Sequence, residues 1–209
     1  MVPEVAGSIP VSHPSFFLRD ITRMADILPI YGYGFSVLKR RAESIELPDE
    51  AKAAFAESMF ATMDASDGVG LAAPQVGVSE RLFVIDSRAM IDEESDEQGI
   101  RKAFFNPEIL EESGEPIGYE EGCLSIPGIR ENVERQPVVR MRYQDAQGRS
   151  HEETFEGMTA RVIQHEYDHI EGVLFIDRIN PLRKRLIKKR LLKVSKGEFS
   201  TTYKIKYPR

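Results

Sequence analysis

The stretch QHEYDHIEGVLF, residues 164–175, carries two of the chain's four histidines, His165 and His169, with Glu166 between them. On a helix, positions i and i+4 lie one above the other, so both imidazoles can reach a single metal ion. A carboxylate beside the first histidine projects next to that ion and can take a proton from water. This is the H-E-x-x-H pattern of helix-borne metal hydrolases. A lone histidine on an apolar helix face is more often a packed core residue than a ligand. The pair with its intervening glutamate tips the reading towards a metal.

A catalytic site of this kind takes three protein ligands and keeps one position open. In one protease class the motif continues as H-E-x-x-H-x-x-G-x-x-H. Here Gly172 stands where that glycine belongs, but Phe175 occupies the place of the last histidine. In a second class a downstream glutamate is the third ligand; at the shortest such spacing this chain has Lys189. The acids that follow the motif are Glu171, Asp177 and Glu198. There remains Cys123, the chain's single cysteine, in Glu120-Glu121-Gly122-Cys123-Leu124-Ser125. Alone it would read as a small buried hydrophobe. Beside a metal pair that lacks a partner, its thiolate is a strong ligand for a borderline-soft divalent ion.

Three segments together resemble the signature motifs of the peptide deformylases. Gly68–Gln75, GVGLAAPQ, is similar to G-x-G-x-A-A-x-Q; residues 121–125 are E-G-C-L-S; residues 165–169 are H-E-x-D-H. Their order and spacing match, and the resemblance runs from about Ile27 to Leu192. It implies an enzyme that removes the formyl group from the initiator methionine of new bacterial or organellar polypeptides. It also implies β-sheets surrounding the H-E-x-D-H helix. By the same resemblance, Cys123, His165 and His169 bind the metal and Glu166 is the general base. The Gln75 side chain and the Leu124 backbone N–H would hold the developing oxyanion. Backbone groups at Val69, Gly70 and Gly122 would pair with an extended substrate. The family implies Fe²⁺, with Zn²⁺, Ni²⁺ or Co²⁺ able to substitute, whereas one Cys and two His would by ligand chemistry alone favour zinc.

Around that site the roles are more open. Met158 and Val162 are expected walls of the methionine pocket, with a plain core role as the alternative. Arg161, one turn before His165, either lines the pocket mouth and contacts substrate carbonyls or merely pairs with an acid on the surface; the second is preferred. Arg130 is expected as a structural partner for Glu121.

The elements that must position these residues read as α+β. Leu47-Pro48-Asp49-Glu50 signals a helix start, followed at helical spacing by Ala51, Phe55, Met59 and Met63 and ended by Gly68-Val69-Gly70. A strand is expected at Arg81–Asp86, an acidic loop at Asp92–Gly99, and short β runs near 103–110, 138–143 and 151–155. Residues 159–171 form the central helix, with Val162, Ile163 and Ile170 as its apolar surface. Asn180-Pro181 opens a basic C-terminal helix with a stripe of Leu182, Leu186, Ile187, Leu191 and Val194. The expected organisation is an irregular leader over 1–23, one catalytic domain over 24–196 and a tail over 197–209.

Composition excludes several classes. With 209 residues, 41 % hydrophobic and 30 % charged, the chain is of ordinary globular make-up. It has no apolar run near the roughly 20 residues that span a bilayer, no basic-then-apolar secretory leader, and one cysteine, hence no intrachain disulfide. A monomer of the bacterial cytoplasm is expected. From Arg183 onward, eleven Lys/Arg face Glu198 alone, which leaves −16 on the first 182 residues within a total of −6. An acidic body with a basic end suggests a polyanionic partner, the ribosome, beside the nascent formyl-Met substrate; a solvated helix face is the plainer alternative. Two rivals stand: an H-E-x-x-H endopeptidase, and a nucleic-acid-binding module with a structural metal. The latter needs a fourth ligand, which as histidine only His13 or His151 could supply.

Overall fold

The computed structural model describes residues 25–92 and 97–208. The expected leader, and residues 93–96 of the acidic loop, lie outside them. In chain order the described elements are β1 (Ile30–Tyr31), α1 (Glu50–Asp64), β2 (Gly70–Ala72), β3 (Leu82–Asp86) and β4 (Arg101–Ser113). Then come β5 (Ile117–Cys123), β6 (Ile126–Arg135), β7 (Val138–Gln144) and β8 (Ser150–Glu156). The chain closes with α2 (Gly157–Ile170), α3 (Phe175–Arg178), α4 (Pro181–Ser195) and β9 (Ile205–Lys206). The fold is α+β.

Five strands form one antiparallel sheet in the order β2-β3-β4-β7-β8. Strand β3, LFVID, explains how helices come to lie on both faces. Phe83 and Ile85 join a cluster with Phe104, Met141, Ala160, Val162 and Ile163 beneath α2. Leu82 and Val84, pointing the other way, pack with Met59, Phe60 and Met63 of α1. A strand buried on both faces reads as a continuous apolar run rather than an alternating one. The Phe83 and Phe104 rings stack at 4.9 Å.

Helix α1 starts where Asp49 caps it, Oδ1 accepting from the Ala51 N–H at 2.7 Å. Its buried face is Ala56, Met59, Phe60 and Met63. The expected stripe was turned by part of a step: Ala51 is exposed and Phe55 half-buried. Helix α4 is capped by Asn180 Oδ1, which accepts from the Leu182 N–H at 2.8 Å. It buries Ile187, Leu191 and Val194 against Ile126, Ile129, Val133 and Phe175. Leu182 and Leu186, expected in that stripe, instead face outward, each 66 % exposed. There the helix meets the body through the Arg183–Glu131 and Lys184–Asp177 ion pairs.

A β5–β6 hairpin stands as a separate two-stranded sheet, and β1 pairs in parallel with β9. Neither pairing was anticipated. Among the described residues no helix is long and apolar enough to cross a membrane.

Candidate metal centre and cleft

The centre joins two elements far apart in sequence. The end of β5 brings Cys123, and α2 brings His165 and His169. One ligand atom from each lies within 4.8 Å of the other two, and Cys123 Sγ is 3.2 Å from His169 Nε2. His165 Nδ1 is 2.9 Å from Glu121 Oε2, which fixes the ring and leaves Nε2 as the nitrogen able to ligate. A carboxylate on the far nitrogen of a ligating histidine is a common orienting device. Gly172, with φ +73°, ends the helix, and Phe175 is not left idle. Its ring stacks on His165 at 6.1 Å between centroids, so the position that supplies a histidine elsewhere here supports one.

Charge favours a cation in this place. Burial would lower the basicity of His165, but its bonds with Cys123 and Glu121 raise it well above the usual value. The anionic surroundings that favour a proton there also favour a cation. Burial, aided by the neighbouring His165, lowers the basicity of His169 and keeps it in the neutral form that ligates. A soft thiolate with two imidazoles is a donor set for a transition-metal ion.

Glu166 is 3 % exposed, and its Oε2 has no hydrogen-bond partner among the described residues. Burial pushes its pKa up to about 7. Glycine at position 70 is required by this carboxylate: a Cβ there would sit 2.3 Å from Glu166 Oε1. The edge strand β2 therefore runs directly against it. Gln75 accepts from the Ala72 N–H through Oε1 at 2.8 Å. That orients its Nε2 towards Cys123 Sγ and Ser125 Oγ, each 3.4 Å away.

An ionic network backs the centre. Arg135 reaches Glu121 through Nε at 2.7 Å and through Nη2 at 2.9 Å, and Asp168 through Nη1 at 2.9 Å. Arg178 also binds Asp168. Burial would raise the Glu121 carboxyl, but hydrogen bonds from His165 and Arg135 outweigh it and hold Glu121 well below the carboxylate range. Arg135 replaces the expected Arg130. In the hairpin register Glu121 faces Glu131 and Gly122 faces Arg130, so Arg130 points to the opposite face. Arg161 has its Nη1 on Glu121 Oε1 at 2.9 Å and on the Val133 carbonyl at 3.1 Å, and its Nη2 on the Ile117 carbonyl.

A cleft of about 900 Å³ opens over the centre. Val69, Gly70, Gln75, Gly122, Cys123, Leu124, Arg161, Val162, His165 and Glu166 line it. Met158 does not; its backbone N–H turns to Glu97 at 3.4 Å. Sequence reasoning missed Arg135 and Tyr203, whose partners Glu121 and Leu124 lie on other elements.

A buried carboxylate beside a Cys–His–His donor set, open to a cleft, defines a metal-dependent hydrolase site. The polypeptide deformylase family model matches residues 27–185, and the chain belongs to that family. It is 50 % identical over 182 residues to a peptide deformylase of Cytophaga hutchinsonii, covering 87 % of this chain and 98 % of the relative. Against one from Christiangramia forsetii it is 47 % identical over 189 residues, covering 87 % and 96 %. The crystal structure of peptide deformylase from Thermotoga maritima superposes with a TM-score of 0.67 at 44 % identity, covering 74 % of this chain and 99 % of that one. A Plasmodium falciparum peptide deformylase gives 0.72 at 34 %, covering 80 % and 95 %.

Proposed function

We propose that Cys123, His165 and His169 hold one divalent metal, Fe²⁺ natively with Zn²⁺, Ni²⁺ or Co²⁺ able to substitute, and that Glu166 is the general base beside it. The activity is that of the family: a metal-dependent hydrolase removes the N-formyl group from the initiator methionine of newly made polypeptides. The observation that carries the residue roles is the buried Glu166 carboxylate, with Oε2 unpartnered, against the converging Cys–His–His set.

When bound, the metal acidifies water and polarises the formyl oxygen. Glu166 takes a proton from the attacking water and returns it to the leaving amine, a task suited to a carboxylate whose burial raises its basicity. Attack builds negative charge on the formyl oxygen. The Leu124 N–H and Gln75 Nε2 are the donors aimed at it, and one such donor is typically worth ~3 kcal/mol. The free edge at Val69 and Gly70, with Gly122 across the cleft, pairs with the extended substrate backbone. Val162 walls the methionine pocket. Met158 lies off the cleft and the Arg161 guanidinium is engaged within the protein, so in this reading neither contacts substrate.

The catalytic body of residues 24–196, with Ser200–Tyr203 of the following segment lining one end of its cleft, works as a cytoplasmic monomer and presents α4 to ribosomal RNA. Exposed Lys188 and Lys189 support that docking. Ribosome affinity should fall steeply with salt, and equal affinity after Lys188→Glu with Lys189→Glu would remove the idea.

The test of the activity is formate release from a formyl-Met peptide by anaerobically prepared protein. Glu166→Gln, with metal still bound, should lower kcat by about 10²–10⁴-fold. No formate from fully metallated wild-type protein would overturn the reading.

A further inference from the structure

After α4 the chain turns back at Gly197, φ +73°, and enters the cleft from one end. Phe199 packs on Gly128, where a Cβ would come within 2.7 Å of its ring. Ser200, Thr201, Thr202 and Tyr203 line that end of the cleft. Residues 205–206 then pair with β1. Between these two anchors the Tyr203 hydroxyl donates to the Leu124 carbonyl at 2.8 Å.

The loop it reaches has little local reason to keep its shape. Cys123 pairs with Ile126, so Leu124 and Ser125 form a two-residue hairpin turn. Such turns ordinarily take positive φ at the first central residue, because that twist matches the strands. Neither residue does so here; among the described residues the positive-φ non-glycines are Asp67 and Asn106. The turn is held from outside instead. Tyr203 binds the Leu124 carbonyl, the Tyr33 N–H donates to the Ser125 carbonyl at 2.8 Å, and Gln75 Nε2 meets Ser125 Oγ. Two of these three holds leave or reach the very residues assigned to the oxyanion.

We propose that Tyr203 is a positioning residue for deformylation: its hydroxyl fixes the Leu124 turn so that the Leu124 N–H points at the developing oxyanion. The proposal rests on the role given to Leu124 above. Leu124 N–H belongs to the peptide bond that also carries Cys123. A turn free to rotate would therefore misaim the donor relative to the thiolate, even with every ligand present. The tail thereby acts on a step of the chemistry without touching substrate at the reacting carbon.

Tyr203→Phe tests this, since it keeps the ring and removes one hydroxyl. In the metallated enzyme, kcat for a formyl-Met peptide should fall about fivefold, the worth of one neutral hydrogen bond. KM and metal content should stay as in the wild type and Tm should fall by no more than the few degrees that one lost hydrogen bond costs, while the Leu124 amide ¹H–¹⁵N resonance shifts. An unchanged kcat overturns the proposal, whatever the resonance does. A fall in kcat that comes with lost metal, or with a Tm lowered well beyond those few degrees, overturns it too, since the hydroxyl would then only hold the fold together. Gln75→Ala measured alongside separates the two readings. If it lowers kcat while Tyr203→Phe does not, only the role of Tyr203 fails. If neither lowers kcat, the oxyanion assignment itself is wrong.

Discussion

Helices α2 and α4 invert one another. Helix α2 buries Arg161, Gln164, Glu166, Asp168 and His169, whereas α4 leaves Leu182, Leu186 and Leu192 more than half exposed. Burying charge without partners is prohibitive, so α2 is tolerated only because β5 and β6 meet it with matching groups: Glu121 for His165 and Arg161, Arg135 for Asp168. Helix α4 carries no such requirement. Its Ile187, Leu191 and Val194 hold it to the body, Arg183 reaches the buried Glu131 of β6 through Nε at 3.0 Å, and Leu182, Leu186 and Leu192 are left to solvent. Polarity on a helix thus says which residues need partners, not which ones lie outside.

The sharpest way to break the contrast is to take away one partner from beneath α2. Arg135→Met leaves Glu121 and Asp168 buried with less compensation. It should cost about 3–5 kcal/mol in denaturant unfolding, with metal affinity falling as Glu121 is released from its place against His165. A loss under 1 kcal/mol would mean that Arg161 and Arg178 carry the network without Arg135. The next effect in size lies in α4. Leu191→Ala, at 4 % exposure, should cost about 2–5 kcal/mol. The same truncation at Leu186, one face away, should stay within about 0.5 kcal/mol. Similar costs at both sites, read from the same unfolding curves, would show that the outer face of α4 is covered in solution.

The same contrast explains what was legible in the sequence. The pattern His165-Glu166-x-x-His169 is local, and helical spacing alone brings its two imidazoles together. The start signals at Asp49 and Asn180 are local too, and both act as caps. The hairpin was not legible. Strand β5, IGYEEGC, is exposed along its first four residues, which leaves no alternation to detect. Strand β6 alternates well, but Glu131 and Arg135 occupy inward positions that a hydropathy pattern assigns to solvent. The assignment of Arg130 to Glu121 failed for the same reason: facing in a hairpin depends on register, and register comes from pairing. Likewise Tyr203 meets Leu124 across 79 positions of sequence, a contact that only the completed fold brings about.

Strand β2 has a consequence of another kind. It is one edge of the main sheet, β8 being the other, and an open edge is a template for any extended chain, including another copy of the protein. Here the template is three residues long. It is followed at once by the tight turn Ala73–Val76, in which Pro74 has no N–H to offer. A peptide end can be read along so short an edge, but a second sheet cannot grow from it. On that side of the sheet the molecule offers little from which copies of itself could stack.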